Sequence, residues 1–237
     1  MPGPKYRRIL FKLSGEAFTG KGLTFDPQAL EYLLDQLIKL HETSVQTALV
    51  VGGGNVIRGA EALPGLDRVT ADQMGMLATA INGLALQSLL KERGIEALVQ
   101  SAVPTPFTPP LDRGAALRAL EERKMVIYVG GTGNPFVTTD TAAALHACEL
   151  SADILLKATK VDGVYTADPE RDPQAKRLER ISHEEFIARR LEVMDLAAVE
   201  ICRKNNLPIL VFNFFREGEL ERALAGEPVG TLISSPP

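Results

Sequence analysis

Three consecutive glycines, Gly52, Gly53 and Gly54, close the apolar run "ALVVGGG", and Arg58 follows four residues after the last of them. Backbone N–H groups freed of side chains can wrap a phosphate, and a guanidinium presents a planar fork of donors to the same oxygens. A tight strand-to-helix turn with a solvated arginine accounts for the triplet as well. Lys12 interrupts a second apolar run, "RRILFKLS", just ahead of Ser14 and Gly15. An ammonium there is costly unless it emerges at the strand end to meet an anion or snorkels from an edge strand. Asp140 follows Thr138 and Thr139 at the start of a helical pattern, where any of the three can cap the helix. Lys157 lies in a third apolar run, close to Lys160. Tyr165 stands among turn residues in "DGVYTAD", where an aromatic ring either stacks on a base or covers a loop.

Other chemistries leave no mark. No G-x-x-x-x-G-K-[ST] or G-x-G-x-x-G pattern follows a strand, and the protein-kinase motif set is absent. His41, His146 and His183 form no constellation with a nucleophile. Cys148 and Cys202 have neither metal-ligand spacing nor a disulfide framework, so two thiols in a reducing compartment are expected. The charged stretch "HEEFIARRLE" reads as a solvated helix face.

The elements that must position these residues alternate along the chain. "RRILFKLS", "VQTALVVGGG", "IEALVQSAV", "KMVIYVGG", "ADILLKAT" and "PILVFN" are short apolar runs of strand type, and "GTLISS" ends the chain. Between them, Asp26 and Pro27 open a helix through residue 42, with apolar positions at 30, 33, 34, 37 and 40. Further helices are expected over 72–93, ended by Gly94, and over 113–123, 138–150, 183–190 and 195–206. The proline-rich "PTPFTPPLD" forms no regular element. Strands separated by helices imply a mainly parallel sheet covered on both faces, an α/β three-layer sandwich. Loops at the carboxyl ends of such strands hold ligands, so "KLSGE", "VGGGNVIRG", "VGGTGNPFVTTD" and the exit of "ADILLKAT" should converge on one edge.

The chain has 237 residues, 45% of them hydrophobic, and a formal net charge of −4. That length suits one domain spanning 1–237, without linker or repeat. The acidic balance disfavours nucleic acid as a partner but leaves anionic metabolites open. No segment reaches the ~18 uninterrupted apolar residues of a membrane span, and a soluble cytoplasmic protein is expected.

Several longer motifs carry a resemblance. "KLSGEAF" at 12–18, "GGGNVIRG" at 52–59, "DQMGMLATAINGLAL" at 72–86, "GGTGNPFVTTD" at 130–140, "LLKATKVDGVYTADP" at 155–169 and "VMDLAA" at 193–198 resemble the bacterial uridylate kinases of the amino acid kinase superfamily. The resemblance implies the amino acid kinase fold and the reaction MgATP + UMP giving UDP + ADP. It places Lys12, Leu13, Ser14, Gly15, Gly54 and Arg58 on the ATP phosphates, and Thr159, Tyr165 and Asp168 on the ATP nucleoside. It places Gly53, Asp72, Thr132, Gly133, Asn134, Pro135, Phe136, Val137, Thr138 and Thr139 around UMP. The glycine triplet then serves both nucleotides.

In such a transfer, Lys12 and Arg58 would offset charge on the moving group, and Asp140 would hold Lys12 or act through Mg²⁺. Lys157 or Lys160 is a further cation, and Asp195 is given a structural role. No protein side chain is assigned as a metal ligand. The acceptor phosphate has a second pKa of about 6, so no strong general base is needed. The resemblance further implies hexamers, activation by GTP and inhibition by UTP. Val137 departs from the family's usual phenylalanine. Residues 104–114, near the GTP site of such enzymes, are richer in proline than the family pattern. The helix over 72–93 suits either a subunit interface or core packing.

Overall fold

The computed structural model describes residues 4–57, 65–167 and 174–235. In chain order the strands are β1 (Arg8–Leu13), β2 (Gln46–Val51), β3 (Ala97–Ser101), β4 (Met125–Val129), β5 (Ile154–Thr159), β6 (Val164–Tyr165), β7 (Arg177–Leu178), β8 (Arg180–Ile181), β9 (Ile209–Asn213) and β10 (Thr231–Ile233). The helices are α1 (Pro27–Glu42), α2 (Arg68–Glu92), α3 (Arg113–Glu121), α4 (Thr139–Glu149), α5 (His183–Ala188), α6 (Leu196–Lys204) and α7 (Glu219–Leu224).

Eight strands form one sheet in the order β3-β4-β2-β1-β5-β9-β10-β8. Every pairing in it is parallel except that of β9 with β10. β6 and β7 form a separate antiparallel hairpin. The expected layers and mainly parallel sheet are therefore present. The convergence of loops also follows, because β4, β2, β1 and β5 are consecutive neighbours and carry the four expected loops.

Successive strand residues point to opposite faces, and helices cover both. Ile9, Phe11 and Leu13 of β1 pack toward α1 and α2, among Leu33, Leu37, Leu40, Leu86 and Leu90. Leu10, Ala48, Val50 and Val126 pack toward α4 and α6. The inward side of α4 is almost all alanine, with Ala142, Ala143, Ala144 and Ala147 fully buried. Side chains this short let the helix axis lie close to the sheet.

Asp26 caps α1 as expected, accepting from the N–H groups of Gln28 and Ala29. The long helix starts four residues earlier than the sequence pattern indicates. Asp67 caps it, accepting from Thr70 N–H, and Arg68 is its first residue. The two late helices are each shorter at the C-terminal end than expected, α5 closing at Ala188 and α6 at Lys204. The polar stretch after β5 is not all turn: Val164 and Tyr165 pair with Leu178 and Arg177.

Candidate active site

Lys12 in β1 and Lys157 in β5 are register partners on adjacent parallel strands. Both carry their side chains on the α4 face, in phase with Leu10 and Leu155. Neighbouring strands lie about 4.8 Å apart, so two ammoniums are brought side by side in an apolar layer. Asp140, in the first turn of α4, lies between them. Its Oδ1 is 3.0 Å from Lys12 Nζ, and its Oδ2 accepts a hydrogen bond from Lys157 Nζ. The three side chains keep only 9%, 8% and 7% of their residues' surface, in the order Lys12, Asp140, Lys157.

Burial pushes the Lys157 ammonium below its ordinary value, with Asp140 resisting and Lys12 adding to the fall. Burial also opposes ionisation of Asp140, but Lys12 and Lys157 outweigh it and the carboxyl titrates below its ordinary value. The node is thus two cations on one carboxylate, a net positive charge at the end of the central strands. Thr138 caps α4 by accepting from Asp140 N–H, so the aspartate is freed from capping to bind the lysines.

Asp195 joins the same place. It precedes α6 without capping it, and its carboxylate accepts from the hydroxyls of Thr138 and Thr141. Its charge favours the protonated form of Lys157. Lys160 is elsewhere: it pairs with Glu16 at 3.3 Å, across the mouth between the β1 and β5 loops.

The glycine triplet has three different surroundings. A Cβ on Gly52 would lie 2.9 Å from Gly15 N, and one on Gly53 would lie 2.7 Å from Ala78 Cβ and 2.8 Å from Gly75 O in α2. A Cβ on Gly54 would meet nothing within 4 Å. Packing therefore explains the first two glycines, whereas Gly54 borders open space. The loop is clamped from behind by Asn82, fully buried in α2, whose Nδ2 donates to Gly52 O at 2.7 Å and to Asn55 Oδ1 at 2.6 Å. Arg58 and Asp168 fall outside the described residues.

On the β4 side a cleft of about 220 Å³ is bordered by Gly53, Gly54, Asp72, Gly131, Val137 and Thr138, among others. Asp72 accepts from Phe136 N–H at 2.7 Å and from Arg68 Nε at 2.9 Å. The Phe136 N–H bond leads in holding the Asp72 carboxyl below its ordinary value. The bond anchors Phe136 at φ 68°, a left-handed conformation that is costly for a bulky residue. The Phe136 ring is 68% exposed beside the Arg68 guanidinium.

On the far side of β5 a second cleft, of about 460 Å³, is bordered by Val161, Gly163, Tyr165, Thr166 and the segment 189–193. Tyr165 is half-buried there. The Thr159 hydroxyl is engaged within its own loop, donating to Val161 O at 2.7 Å, with Phe212 O at 3.2 Å.

Across the sheet edge the order is then cleft, glycine loop, cationic node, cleft. Of the expected residues, Lys12, Gly15, Gly53, Gly54, Asp72, Val137, Thr138, Thr139 and Asp140 come together around the first cleft and the node. Thr159 and Tyr165 belong to the second side. Sequence reasoning understated Lys157 and Asp195 and passed over Asn55, Arg68 and Asn82. Two signals were available: a lysine in each of two apolar strands, and an asparagine in the apolar helix pattern "ATAINGLAL".

A parallel α/β sheet with a buried cationic node and glycine-lined loops at its carboxyl edge defines a protein that handles phosphorylated ligands. The amino acid kinase family pattern matches residues 7–213, and the chain belongs to that family. It is 50% identical over 230 residues to a uridylate kinase of Magnetococcus marinus, covering 96% of this chain and 95% of that protein. Its structure is similar to that of UMP kinase from Bacillus anthracis, with a TM-score of 0.94 at 37% identity over 98% of this chain and 97% of the other. UMP kinase from Ureaplasma parvum gives a TM-score of 0.90 at 33% identity, over 98% of this chain and all of that one.

Proposed function

We propose that the chain, as one domain over 1–237, transfers the γ-phosphoryl group of MgATP to UMP, giving UDP and ADP. The observation that carries this reading is the Lys12–Asp140–Lys157 node between two clefts. In-line phosphoryl transfer asks for positioning and charge stabilisation more than for covalent help, and a fixed cationic node between donor and acceptor supplies both. The acceptor phosphate lies over Gly53 and Gly54, with Asp72 and residues 132–139 around UMP. The donor nucleoside occupies the cleft beside Tyr165, with Thr159 and Asp168. Its phosphates reach back over Lys12, Leu13, Ser14 and Gly15, toward Gly54 and Arg58. Asp140 holds both lysines extended and charged; it is a positioning residue for them.

Magnesium would be carried to the site by the nucleotide. Among the described residues no cluster of three or more His, Cys, Asp or Glu could hold a metal. Mg²⁺ commonly keeps several waters and binds largely through substrate phosphates, and because both Asp140 oxygens are held by Lys12 and Lys157, phosphates and water would supply most of its ligands. When bound it neutralises charge on the β- and γ-phosphates.

The same reading takes in a cytoplasmic role in pyrimidine nucleotide biosynthesis, a homohexamer, GTP as activator and UTP as inhibitor, with no membrane or nucleic-acid partner. Leu77 and Ile81, exposed one turn apart on α2, support a subunit contact. No helix among the described residues is long and apolar enough to cross a membrane.

ATP labelled in the γ-phosphoryl group tests the reaction. Label should appear in the β-phosphoryl group of UDP, one per ADP formed. Label in inorganic phosphate alone, or retained on the protein, would overturn the reading.

A further inference from the structure

At the Val164–Leu178 rung, the hairpin that carries Tyr165 is fastened to the main sheet by one buried hydroxyl. Thr231, the first residue of β10, is fully buried. Its Oγ1 accepts from Val164 N–H at 2.8 Å and donates to Leu178 O. Val164 and Leu178 are Cα partners across the hairpin, so the hydroxyl ties both strands of β6 and β7 at the same rung. Two further features fit this arrangement. Gly163 sits at φ 150°, and a Cβ there would lie 2.5 Å from Thr231 Oγ1, so only glycine lets the chain pass close enough. Gly230, at φ 57°, passes so near Val211 O that a Cβ would lie 2.0 Å from it, which seats Thr231 firmly against β9. The hairpin is tied to the sheet again just outside its two strands, where Asn213 Nδ2 donates to Asp162 Oδ1 and Leu232 N–H donates to Glu179 O. Its next bonds, Thr166 N–H to Lys176 O and Lys176 N–H to Thr166 Oγ1, are internal to it.

We propose that Thr231 is a positioning residue of the donor site, setting the height and angle of the Val164–Tyr165 strand against the cleft that receives the ATP nucleoside. The inference rests on the reading of that cleft given above. Thr231 touches no nucleotide; it acts through Val164 and Tyr165. Without the hydroxyl, the buried Val164 N–H and the part-buried Leu178 C=O lose their partner at one rung, and the rung opens unless it shifts. Tyr165 then loses its fixed place, and affinity for the donor falls while the acceptor site, across the node, is untouched.

The test compares Thr231→Val, Thr231→Ser and Tyr165→Ala with the unaltered full-length protein. KM for ATP, KM for UMP and kcat are measured for each, with hydrogen exchange of 161–178 in the absence of nucleotide. Thr231→Val should raise KM for ATP roughly tenfold, the scale of losing the two hydrogen bonds of the hydroxyl when part of their net worth is felt at the donor site. KM for UMP should stay within about twofold. Exchange in 161–178 should quicken, and Thr231→Ser, which keeps the hydroxyl, should restore both readouts. A merely structural threonine would lower the active fraction and leave both KM values alone, which overturns the inference. If Tyr165→Ala raises KM for ATP and Thr231→Val does not, the inference fails while the donor-site reading stands. If neither variant changes KM for ATP, the donor-site reading fails and takes the inference with it. Should Thr231→Val not fold, Thr231→Ala carries the same comparison.

Discussion

Asp140→Asn isolates what the cationic node contributes. The substitution keeps the shape of the side chain and removes the negative charge lying between Lys12 and Lys157, 3.0 Å from Lys12 Nζ. Removing one partner of a buried ion pair costs about 3–5 kcal/mol, because the remaining charge is left uncompensated. Two responses are open to the lysines: to stay charged and repel each other, or to shed a proton. Lys157 is the one to shed it, since burial and Lys12 already push it down and Asp140 is the chief force resisting them. Either response disturbs the group meant to receive the developing phosphoryl charge. If all of that penalty fell on the barrier, kcat would drop by about two to nearly four orders of magnitude, at 1.36 kcal/mol per tenfold, which bounds the loss from above. The alkaline limb of the kcat profile should also begin at lower pH than in the unaltered protein.

Stability should follow a matching sign. In the variant the folded Lys157 binds fewer protons than the unfolded chain below the ordinary lysine value of 10.5, so stability rises as pH climbs toward it. In the unaltered protein Asp140 has a depressed folded pKa. Its contribution is present above the ordinary value of 3.8 and is lost as pH falls through the lower folded value. The assay is coupled ADP release from pH 6 to 10, with urea midpoints extended down to about pH 3 to take in the Asp140 limb. A variant with kcat within threefold of the original and an unmoved pH profile would refute the argument. Adding Lys157→Met to Asp140→Asn should recover part of the lost stability, because it removes the uncompensated charge.

Three further outcomes follow from the surroundings of single residues. Gly53→Ala should destabilise the fold by about 1–3 kcal/mol, because its Cβ would press on Ala78 and Gly75 of α2. Gly54→Ala should leave the urea midpoint unchanged or slightly raised while turnover falls, because its Cβ enters only the space assigned to phosphate; full turnover would remove Gly54 from the site. His146 stacks on Tyr128 with ring centroids 3.9 Å apart, and its buried Nε2 has no hydrogen-bond partner among the described residues. Burial holds its pKa below 6.5, only partly offset by Glu149, so the unfolded chain takes up a proton first as pH falls and stability declines below 6.5. The slope from this one group is at most about 1.4 kcal/mol per pH unit. His41 and His183 share the direction, so His146→Gln should flatten the decline between pH 6.5 and 5 without abolishing it; an unchanged slope would contradict the assignment.

Much of the fold was legible because its cues are local. Apolar runs, Asp26 with Pro27, and Gly94 each mark an element through their own neighbours. The loops at the carboxyl edge were legible for the same reason, since each glycine cluster directly follows its strand. What escaped depends on register and on distant partners. Nothing near Lys12 announces that Lys157 stands beside it, because that follows from the pairing of β1 with β5. Helix α2 is buried along much of its length, so apolar positions gave no clean start, and Asp67 was passed over as its cap. Asn82 reads as an ordinary polar position until α2 is laid against the glycine loop. Thr231, near the end of the chain, reaches Val164 across 67 residues, a contact no local pattern encodes.

The most direct measurement of the central claim is ADP release from MgATP with a panel of acceptors: UMP, CMP, dTMP, aspartate, acetylglutamate and carbamate, each with and without GTP. The account predicts rapid turnover with UMP and little with the rest. No turnover with UMP under either condition, or faster turnover with an amino acid or carbamate, would contradict the assignment of the cleft beside Asp72 to a nucleotide acceptor.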